Sequence, residues 1–247
     1  MKPAKPILVD CPYCNETKAL TRISSGNTFW GRYWSDTKNI FPMLPQISYV
    51  QKCHKCGKYF IPARLKARCG EASSELGTLS WEEAKQAFSQ FYEIQTDNTT
   101  LDTNADSQRW KFMMAPNISS HPENPLNIQG YKSSNGMTPK EYKELALIVV
   151  HAYNDYYYFN EDYSYRERQA TRQVTDEDKK LFQKCLDWLI RNGDLQDEVK
   201  AEFLRESERF DECLEILEAL PDDKFVAPMI KEKALAKDPV VFEIKYR

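Results

Sequence analysis

The sequence predicts an α+β protein, a small β-rich N-terminal part followed by a mainly α-helical domain, on three observations. Two Cys-x-x-Cys pairs, Cys11 with Cys14 and Cys53 with Cys56, stand among short β-type runs within residues 1–62. From Thr138 onward apolar residues recur every three or four positions between helix start and stop signals. Charge reverses after Gly70: residues 1–70 carry 12 Lys and Arg against 3 Asp and Glu, a net of +9, and the rest of the chain a net of −12. The expected organisation is a metal-bearing part over 1–70, a helix and irregular connection over 71–137, and a helical domain over 138–247.

With 247 residues, 41% of them hydrophobic and 29% charged, the chain has the composition of folded globular proteins rather than disordered ones. The apolar run near the N-terminus, Ile7-Leu-Val9, is too short for a signal-peptide core, and no stretch reaches the ~18 apolar residues of a membrane span. A cytoplasmic protein with no membrane partner is therefore expected. In a reducing compartment, closely paired cysteines read as metal ligands or redox centres before they read as disulfides.

In the first part, Ile47-Ser-Tyr-Val-Gln51 and Lys58-Tyr-Phe-Ile61 are strand-like. Ser80-Trp-Glu-Glu83 is a capping box that opens a helix ending near Ile94. Residues 95–136 are rich in Asn, Asp, Ser, Thr and Pro and read as irregular, with one possible strand at Arg109-Trp-Lys-Phe-Met-Met114. Thr138-Pro-Lys-Glu141 starts a helix to about Phe159, with one stripe through Leu145, Ile148, Ala152, Tyr156 and Phe159 and a second through Tyr142, Val149 and Tyr153.

Thr175 caps a third helix whose stripe is Leu181, Phe182, Cys185, Leu186 and Leu189, stopped at Asn192-Gly193. Leu195, Val199 and Phe203, then Phe210, Cys213, Leu214, Leu217 and Leu220, form a helical hairpin that breaks around 207–209. A last helix runs from about Asp223 to Lys237 with Pro228 in its first turn.

Cys11-Pro-Tyr-Cys14 and Cys53-His-Lys-Cys56-Gly57 have the spacing that lets two thiolates per pair reach one tetrahedral zinc ion. Gly57 suits a turn that needs positive φ after the second ligand. The 38 residues between the pairs exceed the usual dozen to twenty. Lengthening a loop from about 12 to that size costs only ~1 kcal/mol, against the ~10–16 kcal/mol a structural zinc supplies. The insertion must carry structure of its own.

A redox alternative stays open, because Cys-Pro-Tyr-Cys after Ile7-Leu-Val9 resembles the active-site motif of glutaredoxins, with Cys11 as nucleophile at a helix N-terminus and Cys14 as resolving thiol. Thr21-Arg-Ile-Ser-Ser-Gly26 leaves that helix only about two turns, and no Gly-Gly glutathione turn follows. A catalytic zinc is disfavoured, since four thiolates leave no open position and the deaminase pattern is absent. His54 between two ligands is expected to face solvent. Cys69, Cys185 and Cys213 are single, the last two on apolar stripes.

His151 and Asp155 stand one helical turn apart and suit a structural pair better than a catalytic one. His121 carries no signal. No glycine loop cradles phosphate, so neither a nucleotide nor another small-molecule substrate is indicated. Phe29-Trp-Gly-Arg-Tyr-Trp34 in the basic segment suits either stacking on nucleic-acid bases or, the favoured reading, filling the small core beside the metal. The basic segment has equally a choice between nucleic acid and the acidic helical part.

The paired cysteine turns, over about residues 7–62, resemble zinc-ribbon knuckles. Arg209-Phe-Asp-Glu-Cys-Leu-Glu-Ile-Leu217 resembles the start of a tetratricopeptide second helix, although the preceding helix lacks the usual Trp and Gly and Pro221 comes early. With Trp34-Ser-Asp36, Pro42-Met-Leu-Pro45 and Ala152-Tyr-Asn-Asp155, most of the chain resembles a group of uncharacterised bacterial zinc-ribbon proteins with a tetratricopeptide-like C-terminal region. That resemblance implies one structural zinc and no enzymatic activity. The expected partner is a protein, with nucleic acid as the alternative.

Overall fold

The computed structural model describes residues 2–3, 5–21, 23–42, 44, 48–69, 78–96, 137–158, 174–221 and 224–245. Strands β1 (Lys2–Pro3), β2 (Ile7–Asp10), β3 (Thr17–Leu20), β4 (Ile23–Ser25), β5 (Arg32–Trp34), β6 (Asn39–Ile40), β7 (Gln51–Lys52), β8 (Tyr59–Phe60) and β9 (Ala67–Cys69) come first. Helices α1 (Trp81–Thr96), α2 (Pro139–Tyr158), α3 (Asp176–Asn192), α4 (Asp197–Glu206), α5 (Phe210–Glu218) and α6 (Ala227–Leu235) follow, and β10 (Glu243–Ile244) comes last. The N-terminal strands carry the four cysteines, and the C-terminal region is mainly helical. The expected strand at 109–114, His121 and the side chains of Cys69, Tyr156 and Phe159 lie outside the described residues.

The chain forms two compact units, Met1–Phe29 with Pro42–Leu145 and Trp30–Phe41 with Ala146–Arg247. In the first, β2 is the centre of an antiparallel sheet between β3 and β9, β1 pairs with β4, and β7 pairs with β8. Val9, Leu20 and Phe60 pack around Cys11 and Cys53 as one small core. Helix α1 buries Trp81, Ala84, Ala87, Phe88 and Phe91, a stripe at helical spacing, and Phe88 meets Tyr142 edge to face at 5.8 Å.

Both expected capping boxes are present in this unit. Ser80 and Glu83 exchange hydrogen bonds at the start of α1, as Thr138 and Glu141 do at the start of α2. Each capping glutamate also holds a cation from the strand region, Lys52 at 3.2 Å from Glu83 and Arg64 paired bidentately with Glu141.

In the second unit, β5 pairs with β6 on one side and β10 on the other, so part of the long insertion does carry structure of its own. Arg32 closes this sheet with a bidentate pair to Glu243, at 3.0 and 2.8 Å. Trp34, Ile40, Tyr158 and Val241 form its core. Helix α3 packs on α4, α4 on α5 and α6, and α5 on α6. Their shared core is Ala201, Leu204, Cys213, Leu217, Ala227, Ile230 and Ala234.

Helix ends follow the sequence signals closely. Thr175 and Asp178 form the third capping box. Gly193 ends α3 with right-handed backbone, φ −74, and is needed for space: a Cβ there would lie 2.5 Å from the carbonyl of Leu189. The last helix starts at Ala227, later than the expected Asp223, with Pro228 in its first turn. On α2 the deeper face is Tyr142, Leu145, Ala146 and Val149, while Ile148 of the expected stripe is only half-buried. Among the described residues no helix is long and apolar enough to cross a membrane.

Candidate metal centre

Each cysteine pair sits on the turn of a β-hairpin, and the two turns are built alike. In the first, the amide of Cys11 donates to Glu16 O at 2.8 Å and that of Asn15 to Cys11 O at 2.9 Å. In the second, Cys53 N donates to Lys58 O and Gly57 N to Cys53 O, both at 2.9 Å. The residue after the second cysteine takes left-handed backbone in each, Asn15 at φ 58 and Gly57 at φ 71. Asparagine is among the few residues with a side chain that accept this conformation readily. Asn15 is thus the counterpart of Gly57, a correspondence visible in Cys-x-x-Cys-Asn and Cys-x-x-Cys-Gly.

The two turns meet with their sulfurs facing. All four Sγ atoms, of Cys11, Cys14, Cys53 and Cys56, lie within 4.8 Å of one another. Cys11 Sγ is 3.7 Å from Cys56 Sγ, and Cys14 Sγ is 3.6 Å from Cys53 Sγ. A disulfide would need about 2.05 Å, whereas the edge of a ZnS₄ tetrahedron with Zn–S of about 2.3 Å is about 3.8 Å. The donor set therefore fits one tetrahedral, thiophilic ion. Cys11 and Cys53 are buried, and Cys14 and Cys56 are half-buried.

Burial pushes the Cys11 thiol up to about 12. At Cys53 burial acts the same way, but the amides of Cys56 and Lys55 and the neighbouring thiols outweigh it and bring the group down to about 7. One low and one high thiol in mutual contact is what four sulfurs do when crowded into one site.

Around the sulfurs, polar contacts fasten one hairpin to the other. Lys18 Nζ donates to Lys52 O at 2.8 Å. Glu16 of the first turn meets Lys55 of the second at 2.9 Å and His54 Nε2 at 3.6 Å, and the Lys55 contact holds the Glu16 carboxyl below its ordinary value. His54 is exposed, as expected, and its imidazole lies toward Glu16. Gln90 of α1 grips β8 as a further strand would: it accepts from Tyr59 N at 2.9 Å and donates to Tyr59 O at 2.7 Å. Gln86 accepts from the Tyr59 hydroxyl at 3.0 Å. Neither glutamine carries a sequence signal, because on a helix a glutamine reads as a solvated side chain.

The aromatic cluster divides. Trp34 is buried, but its core is that of the second unit, around Tyr158. Phe29 and Trp30 are 68% and 79% exposed, so the expectation that they fill a core beside the metal is incorrect. Trp30 takes left-handed backbone, φ 58, in a turn. His151 Nε2 donates to the main-chain carbonyl of Asp36 at 3.0 Å, and Asp155 lies close enough to act on the imidazole. Cys185 and Cys213 are buried core thiols, and burial raises both. The strand β3 begins three residues after Cys14, where the glutaredoxin comparison asks for a helix.

No family model, no curated protein and no solved structure matches the chain.

Proposed function

We propose that this chain is a non-enzymatic zinc protein, in which one structural zinc held by Cys11, Cys14, Cys53 and Cys56 closes a zinc-ribbon-like pair of knuckles. The observation that carries this reading is the convergence of four sulfurs at distances close to a tetrahedral edge. Bound zinc would supply cross-linking between the two hairpins and, with four thiolates, no open coordination position. A thiol oxidoreductase needs an accessible nucleophile at an electropositive site, and Cys11 is 1% exposed on a β-turn. The helical layer, tetratricopeptide-like in its successive packing, presents a surface to a protein partner in the cytoplasm. Exposed Phe225, Leu235 and Val240 favour that role.

Metal analysis of freshly purified protein, with thiol titration before and after chelation, tests the reading. One zinc per chain and four thiols that become reactive only on chelation are expected. A metal-free protein with a Cys11–Cys14 disulfide would overturn it in favour of redox chemistry.

A second reading is nucleic-acid binding by the basic aromatic segment, favoured by exposed Phe29 and Trp30 and by Tyr13, whose ring lies 4.9 Å from Lys58 Nζ. Fluorescence anisotropy with single-stranded RNA and DNA across a salt series decides it. Binding that weakens steeply with salt is expected, and no binding at low salt sinks this second reading.

A further inference from the structure

The second unit encloses a set of ionisable groups that the metal site does not use. Asp36, on the turn between β5 and β6, is fully buried, and Glu206 at the end of α4 is 3% exposed. One atom links them: Nδ2 of Asn154 on α2 donates to Asp36 Oδ2 at 3.0 Å and to Glu206 Oε2 at 2.8 Å. The two carboxyl groups are otherwise provided for very differently. Asp36 also receives the Tyr158 hydroxyl and, at 3.2 Å on Oδ1, the amide of Lys38. Among the described residues Glu206 receives nothing more, and its Oε1 is buried with no hydrogen-bond partner there.

The cations nearby are already engaged. Arg205 gives Nε and Nη2 to the two oxygens of buried Glu202, and Nη1 to the carbonyl of Asp238. Lys38, on the β5–β6 turn, acts on Asp36 and Asp155, and its own burial lowers it. His151 from α2 is held neutral by burial. The groups acting on Glu206 are thus Asp36 from the turn, Asn154 and Tyr158 from α2, and Glu202 and Arg205 from its own helix, while Lys38 and His151 act on Asp36, and Asp155 acts on Lys38, His151 and Tyr158. One buried carboxylate with several donors beside one with a single donor is the arrangement that sends the charge to the first and the proton to the second.

We propose that Glu206 is carried as the neutral acid in the folded protein, with its proton on Oε1 and Asp36 as the anion, and that loss of this proton weakens the hold of the 30–41 hairpin on α2 and α4. An ionised Oε1 in this position would be a bare charge beside a second carboxylate, and that is the costlier of the two states. Burial, followed by the Asp36 and Glu202 charges, raises Glu206 well above the ordinary carboxyl value. The linkage has one sign: the folded chain keeps a proton that the unfolded chain releases above about pH 4.3, so stability is full below that pH and falls as pH rises through the folded value.

The test uses zinc-loaded wild type and Glu206→Gln, the neutral isostere that still accepts from Asn154. Urea unfolding is measured from pH 5.5 to 8. The ratio of the wild-type folding constant to that of the variant is expected to fall tenfold per pH unit until Glu206 ionises. A ratio constant across this range would overturn the proposal. Carboxyl ¹³C shifts of glutamate-labelled wild type give an answer even if the variant does not fold. One glutamate still protonated at pH 7 is expected, and a fully ionised set overturns the proposal.

Discussion

Replacing Gln90 with alanine removes both partners of the Tyr59 main chain in one step, the oxygen 2.9 Å from its N–H and the nitrogen 2.7 Å from its carbonyl. Tyr59 is 2% exposed, so these groups reach water only through the gap the substitution leaves. An orphaned buried donor or acceptor costs about 1–3 kcal/mol. Gln90 is itself half-buried, water enters the truncated site, and the lower end applies to each group, giving about 2 kcal/mol. With a urea m-value of about 2 kcal/mol per M, the midpoint falls by about 1 M. Gln90→Glu keeps the acceptor but sets a carboxylate against the Tyr59 carbonyl, so it falls at least as far. Urea unfolding of the zinc-loaded proteins, followed by fluorescence and circular dichroism together, measures both. A Gln90→Ala shift under about 0.2 M would refute the claim that this amide anchors α1 to the cysteine hairpins.

Three further outcomes are expected. Gly57→Ala puts a side chain at φ 71 and costs about 1–2 kcal/mol in urea unfolding, whereas Asn15→Gly at φ 58 is neutral or slightly stabilising. Glu141→Ala removes a capping box and leaves Arg64 without its bidentate partner, lowering stability by about 3–4 kcal/mol, while a loss under about 1 kcal/mol would show Arg64 re-pairing. Burial holds His151 below the usual histidine value. The unfolded chain therefore binds a proton that the folded chain refuses, and this contribution to stability is full above about pH 6.5 and lost as pH falls below it. Thermal melts from pH 7 to 5 should separate wild type from His151→Gln progressively, and parallel curves would count against it.

What the sequence disclosed was what is local. The cysteine spacing identified the four sulfurs that converge, and Ser80, Thr138 and Thr175 marked helix starts to within a residue, because a capping box is written in four consecutive positions. The stripe of α3 was equally legible, with Phe182, Cys185, Leu186 and Leu189 buried. The rest depends on partners far along the chain. Nothing beside Arg32, Tyr33 or Trp34 indicates that this stretch pairs with Glu243 and Ile244, or that Trp34 packs on Tyr158. Exposure of Phe29 and Trp30 runs against the hydrophobic rule and follows from a turn whose geometry the residues do not announce. Asp36, Asn154 and Glu206 look like ordinary polar residues one at a time, and only their meeting makes them a buried network.

The pairing of β5 with β10 joins residues synthesised far apart, Arg32 and Glu243 being separated by 211 positions. At about 5–20 residues per second, a ribosome needs about 10–40 s to cover that distance. Cys53 and Cys56 emerge well before then, so the sulfur site is complete, and open to metal, while the strand between its two halves still waits for its neighbour. During that interval the edge of β5 is bare, a surface on which another chain can pair. Slower translation or scarce zinc lengthens the exposure of different parts of the same molecule, and the aggregates that form should differ accordingly.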